Sequence, residues 1–583
     1  MNNPKVDTQL NQALNATPEE REKSMELNVG YNSQDRQWDL IVKFSGDAEL
    51  LKPYVVGITE LLNQYAVVRI YQSRIDEFVR LPQIEYVEKP KRLFFAVYQA
   101  QAVSCINVVK EAPYHLRGKG VLVACVDSGI DFRHPDFRNP DGTTRLAALW
   151  DQTVNGNPPE GYFIGTEFSQ EEINSILLGT TASENEGSPV PSGDLGGHGT
   201  AVMGIAAGNG QSSGGIYEGV APESDLLVVK LGVPLPDSFP RTTELIQAID
   251  YCIRKSMGRN QPLALNLSFG SSYGSREGNS LIEAYLNQVA DLGRTAICVG
   301  MGNEGRSAGH TTAVLMVGQA VEIEMAVGSY QTAFNLQIWK NYVDEVTLEL
   351  EDPSGQRITL AEPQEGARRG DTERHIVGTT KLLFYYGVPS PYRTAQELYL
   401  DFLPEGNYVE EGRWIFRITG KNIVGGTMDF YLPGGNVLNE NTRFLTPNPE
   451  RTLTIPAAAS SVISVGAYDP RLNSYAGFSG RGYTREVVQV KPDLAAPGVN
   501  IRTAKSGGGY NTFTGTSFAT PLVTGAAALM MEWGIIQEND PYLYGEALKA
   551  NLRKGARQLP GILSWPNPEL GYGVLCLRDS LPL

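Results

Sequence analysis

Residues 511–533 read NTFTGTSFATPLVTGAAALMMEW, and the rest of the chain is placed relative to Ser517 within them. Gly515-Thr516-Ser517 is a small-residue turn. Val523 to Met531 is an apolar, alanine-rich run with the composition of a helix buried on most sides. The serine therefore falls at a helix N-terminus, where unpaired N–H groups and the positive end of the helix dipole favour developing negative charge. Pro521 fits only near the first turn, because deeper inside it would remove a hydrogen bond and clash with the preceding turn. Alone, the segment would read as an ordinary serine N-cap.

Two other stretches complete it. Val121 to Val126 (VLVACV) is a short apolar run ending in Asp127-Ser128-Gly129, the pattern of a buried parallel strand with a carboxylate at its carboxyl end. His198 is one of only five histidines and sits in GGHGTAV, with glycines on both sides that leave the imidazole uncrowded at a helix start. A hydroxyl that attacks, an imidazole that takes its proton and a carboxylate that fixes the tautomer are the three groups of nucleophilic acyl transfer. Asp127, His198 and Ser517 supply them in the chain order found in subtilisins. Asn303, in GNEG after the apolar run Thr295 to Val299, can donate its amide to an oxyanion beside the Ser517 N–H.

VDSGID (126–131), GHGTAVMGIAAG (197–208), NLSFG (266–270), GNEG (302–305) and GTSFATP (515–521) together resemble the motif set of the subtilisin-like serine proteases, peptidase family S8. Leu522 departs from it, standing where many members have His, but outside the proton relay. The resemblance implies an α/β fold, a parallel sheet with helices on both faces, and a serine endopeptidase working through an acyl-enzyme. It also implies that Ser268, Phe269 and Gly270 pair with substrate and form one wall of the P1 pocket, with Gly300 to Gly302 opposite.

Composition sets the bounds. At 583 residues the chain exceeds one core, and its net charge of −16 argues against a nucleic-acid partner. No run approaches the eighteen or so apolar residues of a membrane span. The polar, acidic N-terminus lacks the features of a secretory signal, which places synthesis in the cytoplasm. The five scattered cysteines read as buried structural thiols, and no Cys/His spacing suggests zinc.

In chain order, residues 1–34 read as a flexible or loosely helical leader. Residues 35–99 read as a βαββαβ sandwich: strand WDLIVKF, helix AELLKPYVVGITELLNQY, strand AVVRIYQ, helix RIDEFVRLP, strand IEYVEKP. Ahead of a subtilisin-like domain, 1–99 resembles the family's propeptide, ferredoxin-like in fold, which chaperones folding and then covers the active site. Family spacing puts its self-cleavage at Gln99–Ala100 or within one or two residues of it, and a cut at that bond would leave Gln99 in the P1 pocket. The catalytic domain is expected over 100–305 and 450–583, with a surface insertion at roughly 151–193. Between them, 306–449 alternates apolar and polar residues between Gly, Pro and Asn turns, which predicts an inserted all-β sandwich of jelly-roll type.

This architecture resembles the Csp germination proteases of spore-forming Clostridia. That likeness implies a propeptide retained after cleavage as inhibitor and chaperone, a cortex-hydrolase zymogen as substrate, and incorporation into the spore. The alternatives are a general subtilase of a gut Firmicute and a non-catalytic signalling scaffold, since some Csp members lack triad residues. No cofactor is expected. Asp136, in HPDF, matches a family calcium ligand, but the loop GNGQSSGGIYEG lacks the carboxylates to complete a site, so none is expected. His115, His134, His310 and His375 read as surface or satisfied residues.

Overall fold

The apolar runs read as buried strands assemble, in a computed structural model of the chain, into one nine-stranded sheet. The structure describes all residues except 1–2, 25, 92–93, 96–102, 180–191, 233–239, 363–369, 389, 392, 435–436, 486–488 and 583. The described chain forms two units. One comprises residues 93–270, 282–303 and 453–583, and the other residues 1–92, 271–281 and 304–452.

In the first unit, Leu122–Asp127 lies between Leu263–Leu267 and Asp225–Lys230, parallel to both. Thr295–Gly300 and then Ile463–Asp469 continue the sheet on one side, and Leu146–Asp151 on the other, all parallel. Every residue of Leu122–Asp127 is buried, as expected of a strand covered on both faces. The connection reverses direction at this strand, so the crevice at its carboxyl end is the place where such sheets carry their sites.

The expected surface insertion partly extends the sheet. Thr166–Ser169 pairs antiparallel with Leu146–Asp151, and Gln170–Leu177 follows as a helix whose Ser169 and Glu172 form a reciprocal capping box. The helix Thr516–Met531 runs through the core, and with its extension to Ile536 it is apolar and long enough to cross a membrane by composition. The segment is buried in this unit over most of its length, as a core helix is. The cysteine reading is also corrected, because Cys105 and Cys576 form a disulfide, while Cys125, Cys252 and Cys298 are buried free thiols.

The second unit contains two antiparallel sheets around a shared apolar core. The alternating stretch holds strands at Ala320–Val327, Phe334–Asn341, Glu345–Glu351, Thr380–Tyr386, Ala395–Pro404, Gly412–Asn422 and Thr427–Tyr431, among others. Phe334 and Phe402 stack with ring centroids 4.6 Å apart, and Trp414, Phe416 and Phe430 fill the same core.

Residues 37–88 form the small α/β sandwich with strand order 84–88, 37–44, 65–71, 57–61, all antiparallel. One element differs from the sequence reading. The helix expected over residues 48–65 is a short 3-10 turn, Ala48–Tyr54, followed by the strand Gly57–Leu61. Pro53 and Gly57 explain this, since neither sustains a helix interior and the strand gains pairing with Tyr65–Tyr71.

Of the two expectations for residues 1–34, flexible or loosely helical, the described residues fit the second. Thr8–Asn15 and Pro18–Lys23 are helices capped by the side chains of Asp7 and Thr17. They cover the outer face of the strand Ala395–Pro404, which is why all ten of its residues are buried. Leu10, Ala13 and Leu27 share an apolar cluster with Tyr385, Tyr399 and Leu403. Gln12 Nε2 donates to Leu383 O and to Asp401 Oδ2, both at 3.3 Å, and Ser24 Oγ donates to Asp401 Oδ1 at 3.1 Å. Burial alone would raise the Glu20 carboxyl, but Lys381 and Arg374 beside it hold it down at about 2.

Candidate active site

Asp127 ends its strand at the carboxyl edge of the parallel sheet. Its Oδ1 accepts from the Ser128 N–H at 2.7 Å and from His198 Nδ1 at 2.6 Å, and both side chains are buried. With Nδ1 donating to a carboxylate, Nε2 is the ring atom that accepts a proton. His198 is the first residue of the helix His198–Ala207, after Gly197 at φ 72°. Gly199 is required by a close approach, because a Cβ there would fall 2.1 Å from Gly129 O and 3.1 Å from Asp127 Cβ. The helix start therefore abuts the strand end, and the imidazole meets the carboxylate.

Ser517 is the second residue of Thr516–Met531, as expected of a nucleophile at a helix N-terminus. Pro521 is the sixth residue of that helix, deeper than the first turn. It removes the N–H that would bond the Ser517 carbonyl, and Ser268 Oγ donates to that carbonyl instead, at 2.9 Å. Ser517 Oγ in turn donates to Ser268 O at 2.9 Å. The next side chain, Phe518, sets its ring 5.3 Å from the His198 ring, so the serine and the histidine lie in one neighbourhood.

Asn303 follows the strand Thr295–Gly300. Its Oδ1 accepts from Thr516 N at 3.1 Å and Thr516 Oγ1 at 3.3 Å, which orients the amide and leaves Nδ2 as the donor. Ser268, Phe269 and Gly270 lie beside the serine, and Phe269–Gly270 pairs antiparallel with Phe94–Phe95. A chain segment thus already lies along the strand expected to bind substrate. Gly300 ends the strand Thr295–Gly300, and Gly302 follows it at φ +84°. Gln99 and Ala100 lie outside the described residues.

One participant was not legible in the sequence. Asp194, buried at the end of the insertion, accepts four hydrogen bonds: from Ser128 Oγ at 2.8 Å, Gly197 N at 2.9 Å, Thr200 N at 2.8 Å and Thr200 Oγ1 at 2.7 Å. It thereby ties the residue after Asp127 to the helix that carries His198. The available signal was a carboxylate three residues before the helix cap, a position suited to the orphan N–H groups of a first turn.

Asp136 is bonded from two loops. Its Oδ1 accepts from Ser212 N at 2.9 Å and its Oδ2 from Tyr510 OH at 2.8 Å, so loop donors take both oxygens. Calcium needs six to eight oxygen ligands, and no group of three or more His, Cys, Asp or Glu suited to a metal occurs among the described residues. His134 and His310 are buried and hydrogen-bonded, to Gly509 O and Asp136 N and to Asn448 O and Asp429 respectively.

Comparison with known proteins agrees with this geometry. Residues 118–381 and 430–573 match the subtilase family, and residues 4–91 match the Csp protease B prodomain. The structure of the Clostridium perfringens CspB protease is similar, with 36% identity and a TM-score of 0.73, covering 82% of this chain and 95% of that one. The PIII-type proteinase of Lactococcus lactis is 23% identical over 81% of this chain, which spans 25% of that proteinase. The minor extracellular protease Vpr of Bacillus subtilis is 22% identical over 72% of this chain and 47% of its own length. The chain belongs to the subtilase family of serine proteases and carries a Csp protease B prodomain.

Proposed function

We propose that the protein is a serine endopeptidase that cleaves its own propeptide and then a protein substrate through an acyl-enzyme. The carrying observation is the 2.6 Å bond between His198 Nδ1 and Asp127 at the sheet edge, beside a serine at a helix start. On this reading Ser517 Oγ leaves the Ser268 carbonyl and passes its proton to His198 Nε2 as it attacks the scissile carbonyl. Asp127 stabilises the imidazolium, and Asn303 Nδ2 with the Ser517 N–H receives the oxyanion. The imidazolium then gives its proton to the leaving amine, and water repeats the sequence to release the acid.

The same reading takes residues 306–449 as a jelly-roll insertion and 1–99 as a propeptide that stays bound after cleavage. The shared core of Leu10, Ala13, Tyr399 and Leu403 supports retention, because cutting one peptide bond leaves that buried surface in place. A cortex-hydrolase zymogen in the spore is the substrate this reading favours, supported by the prodomain match and the 36% identity to the CspB protease.

N-terminal sequencing beside the Ser517→Ala variant tests it. The wild type should yield a new N-terminus near Ala100 with a co-purifying fragment of about a hundred residues, and the variant should stay whole. A fluorophosphonate should label the wild type and not the variant. Absence of labelling in the wild type favours the non-catalytic scaffold.

A further inference from the structure

In the β-sandwich unit, the turn after the strand Gly412–Asn422 is held by a buried carboxylate. Asp344 accepts from Val424 N at 2.6 Å, Gly425 N at 2.8 Å and Gly426 N at 2.9 Å. Three bonds fix the backbone, so Val424 at the tip is held outward, 73% exposed. The turns on either side carry side chains of the same kind. Leu315 N donates to Gly426 O and Gly318 N to Gly420 O, both at 2.8 Å, which sets Val314, Met316 and Val317 on one flank. A Cβ on Gly425 would fall 2.9 Å from Asn341 Cβ, which sets Tyr342 and Val343 on the other. All six side chains are 40–73% exposed, whereas Ala313 and Leu315 between them fill the sandwich core. The tip is therefore a fixed apolar patch and not core loosened at an edge.

We infer that this patch is the interface of a two-fold dimer, with a second copy of the chain as its occupant. The inference does not depend on the protease reading. The six side chains expose on the order of 600 Å² of apolar surface, the upper end for the largest patch on a monomer. Closing one patch on another buries about 1,200 Å², the lower limit of a specific interface. A two-fold contact uses the same surface on both partners, so the patch has to complement only itself. Glu345 and Lys421, both exposed, flank it at the bulge where Glu345–Glu351 meets Gly412–Asn422, and give the rim one charge of each sign. Two copies meet there without the repulsion that a rim of one sign would add to a net charge of −16. A lipid surface fits less well. The patch is built on turns, whose outward backbone groups find no partners in hydrocarbon, whereas a facing protein surface and its trapped waters supply them.

Sedimentation velocity of the full chain tests it. The mass should rise from one chain towards two between about 1 and 100 μM, the range suited to an interface of this size. Val424→Glu sets two carboxylates across the two-fold axis and should weaken association about tenfold or more. Ile376 is 60% exposed on the strand Thr372–Val377, at the opposite edge of the sheet that His310–Val314 begins. Ile376→Glu should therefore leave association unchanged, and matching thermal midpoints show that both variants fold. A short bismaleimide should link Val424→Cys into a covalent dimer and should not link Ile376→Cys. A monomer at every concentration overturns the proposal, and flotation with phosphatidylcholine–phosphatidylglycerol vesicles then shows whether lipid covers the patch instead. A dimer that Val424→Glu leaves intact, with Val424→Cys not linked, overturns it equally, because the contact then lies elsewhere.

Discussion

Ser268 and Ser517 exchange two hydrogen bonds, hydroxyl to carbonyl in each direction and each 2.9 Å long. One exists because Pro521 cannot donate to the Ser517 carbonyl. The proline thus leaves an acceptor at the nucleophile, and the substrate-binding segment fills it. Ser268→Ala should cost about 1–2 kcal/mol of stability, the usual penalty for orphaning a buried acceptor. In a Pro521→Ala background the restored N–H takes over that carbonyl, and the cost should drop below about 0.5 kcal/mol. Urea unfolding of the four proteins measures it, and an equal cost in both backgrounds would show that proline and serine are not coupled.

The orientation of Asn303 comes from Thr516, whose N–H and hydroxyl both bond its Oδ1. Asn303→Leu should lower kcat roughly 100- to 1,000-fold with little change in KM, because the donor acts on the transition state. Thr516→Val removes one of the two restraints and should cost about tenfold or less. Steady-state kinetics decide this, and a KM effect as large as the kcat effect would assign Asn303 to substrate binding instead.

Asp194 holds the strand end and the helix start together without reaching the reacting atoms. Asp194→Asn preserves shape but turns an amide N–H₂ towards a donor, either on the Ser128 side or on the Thr200 side. A displacement of even 1 Å between His198 and Ser517 is expected to cost about 100-fold in kcat. Fluorophosphonate labelling should slow in step while the thermal midpoint changes only modestly. If labelling keeps its wild-type rate, Asp194 is a fold residue and nothing more.

What could be read from residue types alone was the chemistry that glycine frames. His198 stands beside Gly199, where a Cβ would collide with Gly129 O, and Ser517 follows Gly515 at φ 156°, so glycine leaves a signature in sequence at both. Asp194 leaves none, because a lone Asp in a loop is compatible with many environments. The helix expected over residues 48–65 failed because LLKPYVVGITELL has apolar residues at helical spacing, while Pro53 and Gly57 favour the turn and strand that formed. The docking of residues 1–34 had no mark in the sequence, because their polar side chains find partners far away, as Gln12 does at Leu383 and Asp401. The pairing of Cys105 with Cys576 spans 471 residues and has no local mark either.

Asp401 makes the docking of the N-terminal helices sensitive to pH. Burial, with Glu26 nearby, raises its carboxyl from the ordinary 3.8 to about 8, against the opposing pull of Ser24, Lys89 and Gln12. Between those values the folded chain holds a proton that the unfolded chain has released. The contribution to stability is therefore complete below about pH 4 and is lost as pH rises towards 8. Hydrogen exchange over residues 8–24, corrected for intrinsic rates, should show weaker protection at pH 9 than at pH 6 in the wild type. Asp401→Asn stays neutral and keeps groups that can bond Ser24 and Gln12, so its protection should be nearly flat across that range. Equal pH dependence in the two proteins would mean that another buried carboxyl, such as Glu397 or Asp7, carries the effect.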